Sequence, residues 1–329
     1  MIKKNAIYFI LLSFKLTSCI EPYEGEMKSI DNILVVEGMI TGGTTQIILS
    51  KSGGLDDMMT PIWDYQQQVS KDPYEVNHAE VFVECDDGAR TESAYPAMGG
   101  IYRIETGELN MDAKYRLVIH LDGELYHSNY IAPAISSPPF ISFKNDGANI
   151  SVCVSTKGYE GYPGYYLWSY EEEWETQVLS SGAKCRMYEK SNVLILGNTE
   201  KMIENEIREQ TIKSFHCTDS RTSILYRIKV SQNTIHKEAY DYLFNVQKNS
   251  SWNPNVIFGH IPSEIMGNIK CVSNPEIPVI GYVDVSTTSV DEQYVDDIYY
   301  DSSFEVQRRW ICAQYSADEM PSYCYSCGW

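Results

Sequence analysis

The sequence predicts a mainly β protein. We expect an N-terminal immunoglobulin-like antiparallel β-sandwich over residues 33–135, followed by a second β-rich domain over residues 136–329 with one or two short helices. Short runs of residues alternate between apolar and polar with the period of two that a half-buried strand requires. Turn residues such as Asp-Gly separate these runs, as they do in antiparallel hairpins. Residues 133–139 contain three prolines, which is typical of a domain boundary.

The first domain contains several strands that can be located from their alternation. Residues 33–38 begin a buried strand, and residues 80–85 follow a period of two before an Asp-Asp-Gly turn. Residues 115–121 and 124–130 flank an Asp-Gly pair and form the clearest hairpin of the chain. Residues 52–77 are too many for an ordinary connection, so we expect an elaborated loop there.

The second domain mixes strands with two candidate helices. We expect strands at residues 150–155, 165–175, 223–232, 278–286 and 304–312. The spacing of Ile203 and Ile207 predicts a short helix over residues 200–212. A second helix is expected to begin at Thr234 as its N-cap and to continue to about Asn249. Its apolar face would contain Ile235, Ala239, Tyr242, Leu243 and Val246.

The N-terminus carries an export signal over residues 1–18. Two lysines precede a short apolar run at residues 6–14, which is too short to span a bilayer. The sequence Leu-Thr-Ser-Cys that follows has the pattern of a lipobox, so Cys19 is expected to be acylated and to become the mature N-terminus. Residues 19–32 form a polar tether. We therefore expect a lipoprotein of a bacterial outer membrane that is exposed at the cell surface.

Charge and cysteine content limit the possible partners. The chain has 26 basic and 45 acidic residues and a net charge of −19, which argues against nucleic acid as a partner. Eight cysteines besides Cys19 permit disulfides in an exported protein, and the sequence alone cannot choose their pairing. Cys324 and Cys327 are a possible disulfide pair. Zinc binding and thiol chemistry remain alternatives for that pair.

No motif for catalysis stands out. The six histidines lack zinc-site spacing, and the sequence contains neither a Gly-x-Ser-x-Gly nucleophile motif nor a phosphate-binding glycine loop. Residues 291–301 are densely acidic but lack the spacing of an EF-hand, so a solvated loop is favoured over an ion site. We therefore expect a protein that is not an enzyme and that has no cofactor and no metal.

Aromatic residues provide the candidate ligand contacts. On a strand that starts at residue 165, the side chains of Tyr166, Trp168, Tyr170 and Trp174 share one face. This face is either part of the core or an exposed platform for sugar rings or peptide side chains, and the polar opposite face favours the core. Trp63 and Tyr65 in the long loop form a second candidate.

Several short motifs occur in the order shown by a known family. They include Val-Val-Glu-Gly at residues 35–38, Gly-Ile-Tyr at residues 100–102, Ala-Tyr-Asp-Tyr-Leu at residues 239–243 and Ile-Gly-Tyr-Val at residues 280–283. In this order the chain resembles the Bacteroidota lipoproteins of the family catalogued as domain of unknown function 4249. The resemblance extends over nearly the whole mature chain. It implies an accessory role beside TonB-dependent transporters and their lid lipoproteins, and it carries over no catalytic residues.

These observations predict a surface-anchored accessory lipoprotein. It is expected to bind a nutrient ligand, either a peptide or a glycan, or to dock on a TonB-dependent transporter. Two alternatives stay open: a surface hydrolase with an unrecognised carboxylate or metal site, and a structural or adhesion component of the cell envelope.

Overall fold

The structure is a computed structural model, and it describes residues 32–52, 63–64, 69–70, 74–93, 97–159, 161–177, 184–222, 225–251 and 267–296. The signal segment, Cys19, Tyr65, Cys324 and Cys327 lie outside these ranges. Trp63 lies in a described two-residue strand, but its side chain is outside the description.

The prediction of a mainly β fold is confirmed. The strands of the described ranges are β1 (Leu34–Thr41), β2 (Gly43–Lys51), β3 (Trp63–Asp64), β4 (Val69–Ser70), β5 (Glu80–Cys85), β6 (Arg90–Glu92), β7 (Ile101–Gly107), β8 (Tyr115–Leu121), β9 (Glu124–Ser128), β10 (Phe140–Asn145), β11 (Asn149–Lys157), β12 (Tyr165–Gln177), β13 (Lys184–Lys190), β14 (Ile195–Asn198), β15 (Glu206–His216), β16 (Leu225–Thr234), β17 (Ile269–Cys271), β18 (Val279–Gly281), β19 (Val285–Ser286) and β20 (Thr288–Asp296). Within the described ranges, helix α1 spans Lys237–Ser251, and short 3-10 turns occupy Ile203–Asn205 and Ser220–Thr222.

Two sheets enclose the first core. One sheet has the order β18-β1-β2-β7, with β19 also paired to β1, and the other has the order β17-β9-β8-β5-β6. Alternate residues of both sheets point inward and are almost fully buried, as in a sandwich. Ile47, Ile104, Leu117 and Ile119 are among them.

The C-terminal part of the chain returns to this first sandwich. Strands β17, β18 and β19 all join its sheets, and Ile269, Val279 and Val285 lie in its core. The predicted division into residues 33–135 and 136–329 therefore needs correction, because residues 267–286 belong to the first sandwich. Pairing between segments so far apart leaves no local signal in the sequence. β18 and β19 pair with β1 in parallel, which also departs from the antiparallel sheet that was expected.

The parallel pair of β1 and β18 depends on a close approach of two backbones. Gly281 has a φ of +147°, and a Cβ at this position would lie 2.3 Å from the carbonyl oxygen of Val36. A side chain there would be both strained and in collision with β1. Glycine is therefore required where the returning strand meets the first one.

Two further sheets enclose the second core. The smaller sheet has the order β10-β11-β15, and the larger has the order β13-β12-β16-β20, with β14 paired to β12. Val152, Val154, Trp168, Tyr226 and Ile228 pack between them. Burial of this many large apolar side chains supplies the main driving force for folding of this sandwich.

The two predicted helices have different outcomes. Helix α1 exists, but Thr234 lies at the end of β16 and its backbone N–H donates to Ser136 Oγ at 2.6 Å. His236 precedes the first turn instead, since its carbonyl accepts the N–H of Tyr240. The prediction of a helix over residues 200–212 is wrong, because β15 begins at Glu206 and pairs with β11. Two register shifts in that pairing obscure the period of two in the sequence.

The proline-rich connection between the sandwiches is held in place. The N–H of Ala134 donates to Val285 O, and the N–H of Thr287 donates back to Ala134 O. Gln232 Nε2 donates to Ser137 O at 2.7 Å, and Ser289 Oγ donates to Ser136 O at 2.6 Å. The connection is therefore bound to both sandwiches.

None of the helices in the described part of the chain has the length and apolar character that crossing a bilayer requires.

Candidate functional site

The predicted aromatic row on β12 forms part of the second core. Tyr166, Trp168, Tyr170 and Trp174 are between 1% and 6% exposed. Their polar groups are satisfied inside the protein, as shown by Trp168 Nε1, which donates to Gln232 Oε1 at 2.7 Å. The core interpretation therefore holds, and the interpretation of these four residues as an exposed ligand platform is corrected. The four rings face the opposite sheet and are almost fully buried there.

The opposite face of the same sheet carries a different row of side chains. Strand pairing places Tyr188 of β13 beside Glu173 of β12, Glu173 beside Arg227 of β16, and Arg227 beside Tyr294 of β20. All four side chains point away from the core. We call this outer surface of the larger sheet, with Tyr188, Glu173, Arg227, Tyr294 and the neighbouring Arg186, the tyrosine face.

The two tyrosines of this face are open to solvent. Tyr188 is 54% exposed and Tyr294 is 61% exposed. They stand at the two ends of a row that crosses four strands, so three interstrand spacings of about 4.8 Å separate them by about 14 Å. An aromatic ring offers a flat apolar surface with a polar tip. Two such rings on one sheet face are suited to hold the ends of an extended ligand.

Ion pairs fill the space between the tyrosines. Glu173 binds two arginines, Arg227 at 3.0 Å and Arg186 at 3.3 Å, and Arg227 Nε also donates to Glu292 at 2.5 Å. The hydrogen bond with Glu292 raises the pKa of Arg227, and the same bond lowers the pKa of Glu292. One row further along, Lys190 lies 2.8 Å from Glu171. The face is therefore charged but locally balanced.

A pocket of about 230 Å³ opens on this face. Its lining includes Arg186, Arg227, Leu225 and Tyr294, and Trp174 contributes to it as well. Trp174 is thus the member of the predicted aromatic set that touches a surface opening, although only 6% of it is exposed. Arginine, carboxylate and tyrosine groups can together form many hydrogen bonds to one small ligand.

A buried ionic network lies behind the pocket. Glu172 is fully buried, and its Oε1 accepts from Arg221 Nη2 at 2.7 Å while its Oε2 accepts from the Tyr226 hydroxyl at 2.7 Å. Burial by itself disfavours charge on Arg221, but the hydrogen bonds and negative charges of Glu172 and Asp219 together outweigh burial and raise the pKa of Arg221. Arg221 also lies 4.2 Å from the centre of the Trp174 ring. The network therefore fixes the wall of the pocket from inside.

A second charged cluster lies on the outer face of the first sandwich. Glu84 accepts hydrogen bonds from Arg90 at 2.7 Å, from Arg116 Nε at 2.8 Å and from the Tyr130 hydroxyl at 2.6 Å. Burial would raise the pKa of Glu84, but these bonds outweigh it and lower the pKa to about 2. The groups of this cluster satisfy one another, and the carboxylate at its centre is buried, with Glu84 only 5% exposed.

Exposed aromatic residues also gather at one end of the second sandwich. Tyr159 is 60% exposed, Tyr162 is 75% exposed and Met202 is 52% exposed. Asn205 Nδ2 donates to the carbonyls of Tyr159 at 2.6 Å and Tyr162 at 2.7 Å, which holds the loop in one conformation. We call Tyr159, Tyr162 and Met202 the loop-end patch.

The remaining predicted site residues have mixed outcomes. Cys19, Tyr65, Cys324 and Cys327 lie outside the described residues, as does the side chain of Trp63. Cys185 is disulfide-bonded, whereas the buried Cys85, Cys153, Cys217 and Cys271 are free thiols.

The acidic run at residues 291–301 is described as far as residue 296. Asp291 Oδ2 accepts the N–H of Ile141 at 3.1 Å, and Glu292 is paired with Arg227. These two carboxylates are therefore occupied by protein groups. Within the described ranges, no three or more His, Cys, Asp or Glu side chains come together as metal ligands would.

Sequence reasoning missed the tyrosine face. The alternation in β12 correctly predicts that its large rings share one side of the strand, although the buried Glu172 lies on that side as well. However, Tyr188 and Tyr294 lie 106 positions apart in the sequence and meet only through strand pairing. Without the order of the strands, neither tyrosine can be distinguished from the other tyrosines of the chain.

Comparison with protein families identifies the family of this chain. The family model described as "Domain of unknown function (DUF4249)" matches residues 20–292, well over half of the 329-residue chain. No curated protein matches the chain. The ordered motifs from Val-Val-Glu-Gly to Ile-Gly-Tyr-Val fall within the matched segment. The chain therefore belongs to the family described as Domain of unknown function (DUF4249).

Proposed function

We propose that this protein is a non-enzymatic binding protein of a bacterial outer membrane, anchored by lipid on Cys19 and exposed at the cell surface. Its role is to capture a nutrient ligand, a peptide or a glycan, on the tyrosine face. The observation that carries this proposal is the row of Tyr188, Glu173, Arg227 and Tyr294, in which two exposed rings flank paired charged groups.

The chemistry of this row favours binding over catalysis. A general acid or base needs a pKa close to the working pH. On the tyrosine face the hydrogen bond from Arg227 lowers the pKa of Glu292, and the hydrogen bond from Lys190 lowers the pKa of Glu171. Both carboxylates are thereby held in the charged form. They are suited to accept hydrogen bonds from a ligand rather than to exchange protons with it.

The ligand proposal is tested by binding measurements on the purified protein. Immobilised peptide and oligosaccharide libraries are screened with the unchanged chain and with Tyr188→Ala and Tyr294→Ala. We expect at least one library member to bind and both substitutions to weaken that binding. Stoichiometric metal together with hydrolytic turnover in the same preparation would instead favour a surface hydrolase.

The anchor is tested on native material. Mass spectrometry of the mature N-terminus should find Cys19 carrying diacylglycerol on its sulfur, and Cys19→Ala should release the protein from the membrane fraction. Protease treatment of intact cells should degrade the protein if its body faces outward. An unmodified Cys19 in the membrane fraction would contradict the proposed anchor.

For a partner, we propose a TonB-dependent transporter and its lid lipoprotein, contacted through the loop-end patch. Its three side chains are exposed and have large apolar surfaces, and exposed apolar surface is typical of sites that contact other proteins. Affinity purification from detergent-solubilised membranes should recover the transporter with the unchanged chain and less of it with Tyr162→Ala. Equal recovery from both proteins would exclude this patch as the contact.

A further inference from the structure

We propose that the ligand of the tyrosine face is an uncharged oligosaccharide that lies across the strands, with sugar rings stacked on Tyr188 and Tyr294 and hydroxyls bound by Glu173, Arg186 and Arg227. This inference rests on the proposed binding function and selects one of its two ligand classes. Three properties of the face support this inference: the balance of its charges, the direction in which its row of side chains crosses the strands, and the shape of its polar groups.

Charge balance argues for an uncharged ligand. The protein as a whole has a net charge of −19, yet each basic group in this row has an acidic partner within 3.3 Å. A charged ligand would have to displace one of these partners and leave it unpaired. Ligand hydroxyls can instead add hydrogen bonds to free positions on the same groups, because a carboxylate accepts at about four positions and a guanidinium has five N–H donors.

The direction of the row argues against a peptide. Peptides commonly bind sheets by adding a strand to a free edge, where main-chain hydrogen bonds supply the affinity. The central strands β12 and β16 already have partners on both sides. A chain that follows the row from Tyr188 to Tyr294 runs across the strands and finds no main-chain groups to pair with. A sugar chain does not need such pairing.

The polar groups have the shape that vicinal hydroxyls require. Guanidinium and carboxylate groups are planar and present two parallel hydrogen-bonding positions each. Adjacent hydroxyls of a sugar can both donate and accept, so one such pair can bind a carboxylate or a guanidinium in a bidentate way. The apolar face of the same sugar ring packs on an aromatic ring. Glu173 and Arg227 lie side by side between the two exposed tyrosines, which brings both kinds of contact together.

The test uses isothermal titration calorimetry with the full mature chain. The probes are neutral hexasaccharides of glucose, mannose, xylose and N-acetylglucosamine, one acidic oligogalacturonide, and a set of hexapeptides. The variants are Tyr188→Ala and Tyr294→Ala, with Phe140→Ala as the matched control because Phe140 is an aromatic residue that is 65% exposed but lies on β10 of the smaller sheet. Circular dichroism verifies that each variant is folded.

We expect at least one neutral hexasaccharide to bind, with affinity reduced about fivefold or more by either face substitution and unchanged by Phe140→Ala. Binding should also stay constant between about 50 mM and about 500 mM NaCl, since the ligand carries no charge. Peptide binding that depends on Tyr294, without any glycan binding, would overturn the inference and leave the proposed function standing. Glycan binding that neither face substitution weakens would also overturn it. Binding of none of the probes would overturn both.

Discussion

Asp284 binds His236 twice, with its Oδ2 accepting the backbone N–H at 2.8 Å and its Oδ1 lying 2.8 Å from the ring Nδ1. Asp284 is buried between two core residues of the first sandwich, and its carbonyl accepts the N–H of Ile40. His236 stands at the start of helix α1. A carboxylate at a helix N-terminus also interacts favourably with the helix dipole. This pair therefore joins α1 to the first sandwich.

The first prediction concerns how the stabilisation by the His236–Asp284 pair depends on pH. The hydrogen bond to Asp284 outweighs burial and raises the pKa of His236 above its value in the unfolded chain, which is about 6.5. The stabilisation is therefore fully present below pH about 6.5 and is lost as pH rises through the folded-state pKa. We expect His236→Ala to lower the free energy of unfolding more at pH about 5.5 than at pH about 8. Urea unfolding at both pH values measures this.

A control substitution distinguishes the contribution of the His236–Asp284 pair from the contribution of an exposed histidine elsewhere. His120 has an exposed ring on the outer face of the first sandwich, away from α1. His120→Ala should show a smaller difference between the two pH values. A loss of stability from His236→Ala that is the same at both pH values would mean that the ring contributes by packing alone.

The second prediction distinguishes the core row from the tyrosine face. Trp168 is 1% exposed and packs in the second core, so Trp168→Ala should lower the free energy of unfolding by about 3–5 kcal/mol. Tyr188 is more than half exposed, and Tyr188→Ala should change the free energy of unfolding by no more than about 0.5 kcal/mol. Urea unfolding followed by fluorescence provides both values. Comparable losses from the two substitutions would contradict the assignment of faces.

Strand β12 shows which structural features the sequence pattern predicts and which it does not. The alternation of large rings with polar residues from Tyr166 to Trp174 correctly predicts a strand with an aromatic inner side. The pattern cannot show that Glu172 shares that inner side as a fully buried charge. Its partner Arg221 lies 49 positions later in the sequence, and the ion pair depends on how the intervening strands fold.

The predicted domain boundary differs from the structure for a related physical reason. The hydrophobic pattern predicts a strand over residues 278–286, where β18 and β19 lie, but it does not specify which strand they pair with. Gly281 is the local indication, since its positive φ and the nearby Val36 carbonyl forbid any side chain. A glycine within an apolar strand suggests a close backbone approach without naming the partner. Long-range pairing, and with it the tyrosine face, therefore becomes visible only in the folded chain.

The third prediction concerns acid stability of the first sandwich. Burial would raise the pKa of Glu84, but hydrogen bonds from Tyr130, Arg116 and Arg90 lower it to about 2. A carboxylate with a lowered folded-state pKa stabilises the protein above its unfolded pKa of about 4.3 and loses that contribution as pH falls towards 2. The change amounts to about 3 kcal/mol. Glu84→Gln should therefore flatten the fall in stability between pH about 5 and pH about 2.

Glu80 offers the matched control for this experiment. It lies on the same strand, but its side chain is 83% exposed. Glu80→Gln should leave the acid part of the stability curve unchanged. An acid transition that is identical in the unchanged protein and in Glu84→Gln would show that other carboxylates govern it.

The fourth prediction concerns the buried network behind the pocket. Arg221→Met removes the guanidinium from Glu172 and from the Trp174 ring, and it should cost about 3–5 kcal/mol because an incompletely paired charge stays buried. The double variant Glu172→Gln with Arg221→Met also removes the carboxylate charge. Its loss of unfolding free energy should be smaller than the sum of the losses in the two single variants. A double-mutant cycle by urea unfolding measures this coupling. Since the ring of Trp174 rests on Arg221, its fluorescence should change in both variants that lack the arginine. Lys213 Nζ also lies 3.2 Å from Glu172 Oε1. Additive costs would mean that Lys213 and Tyr226 satisfy Glu172 without Arg221.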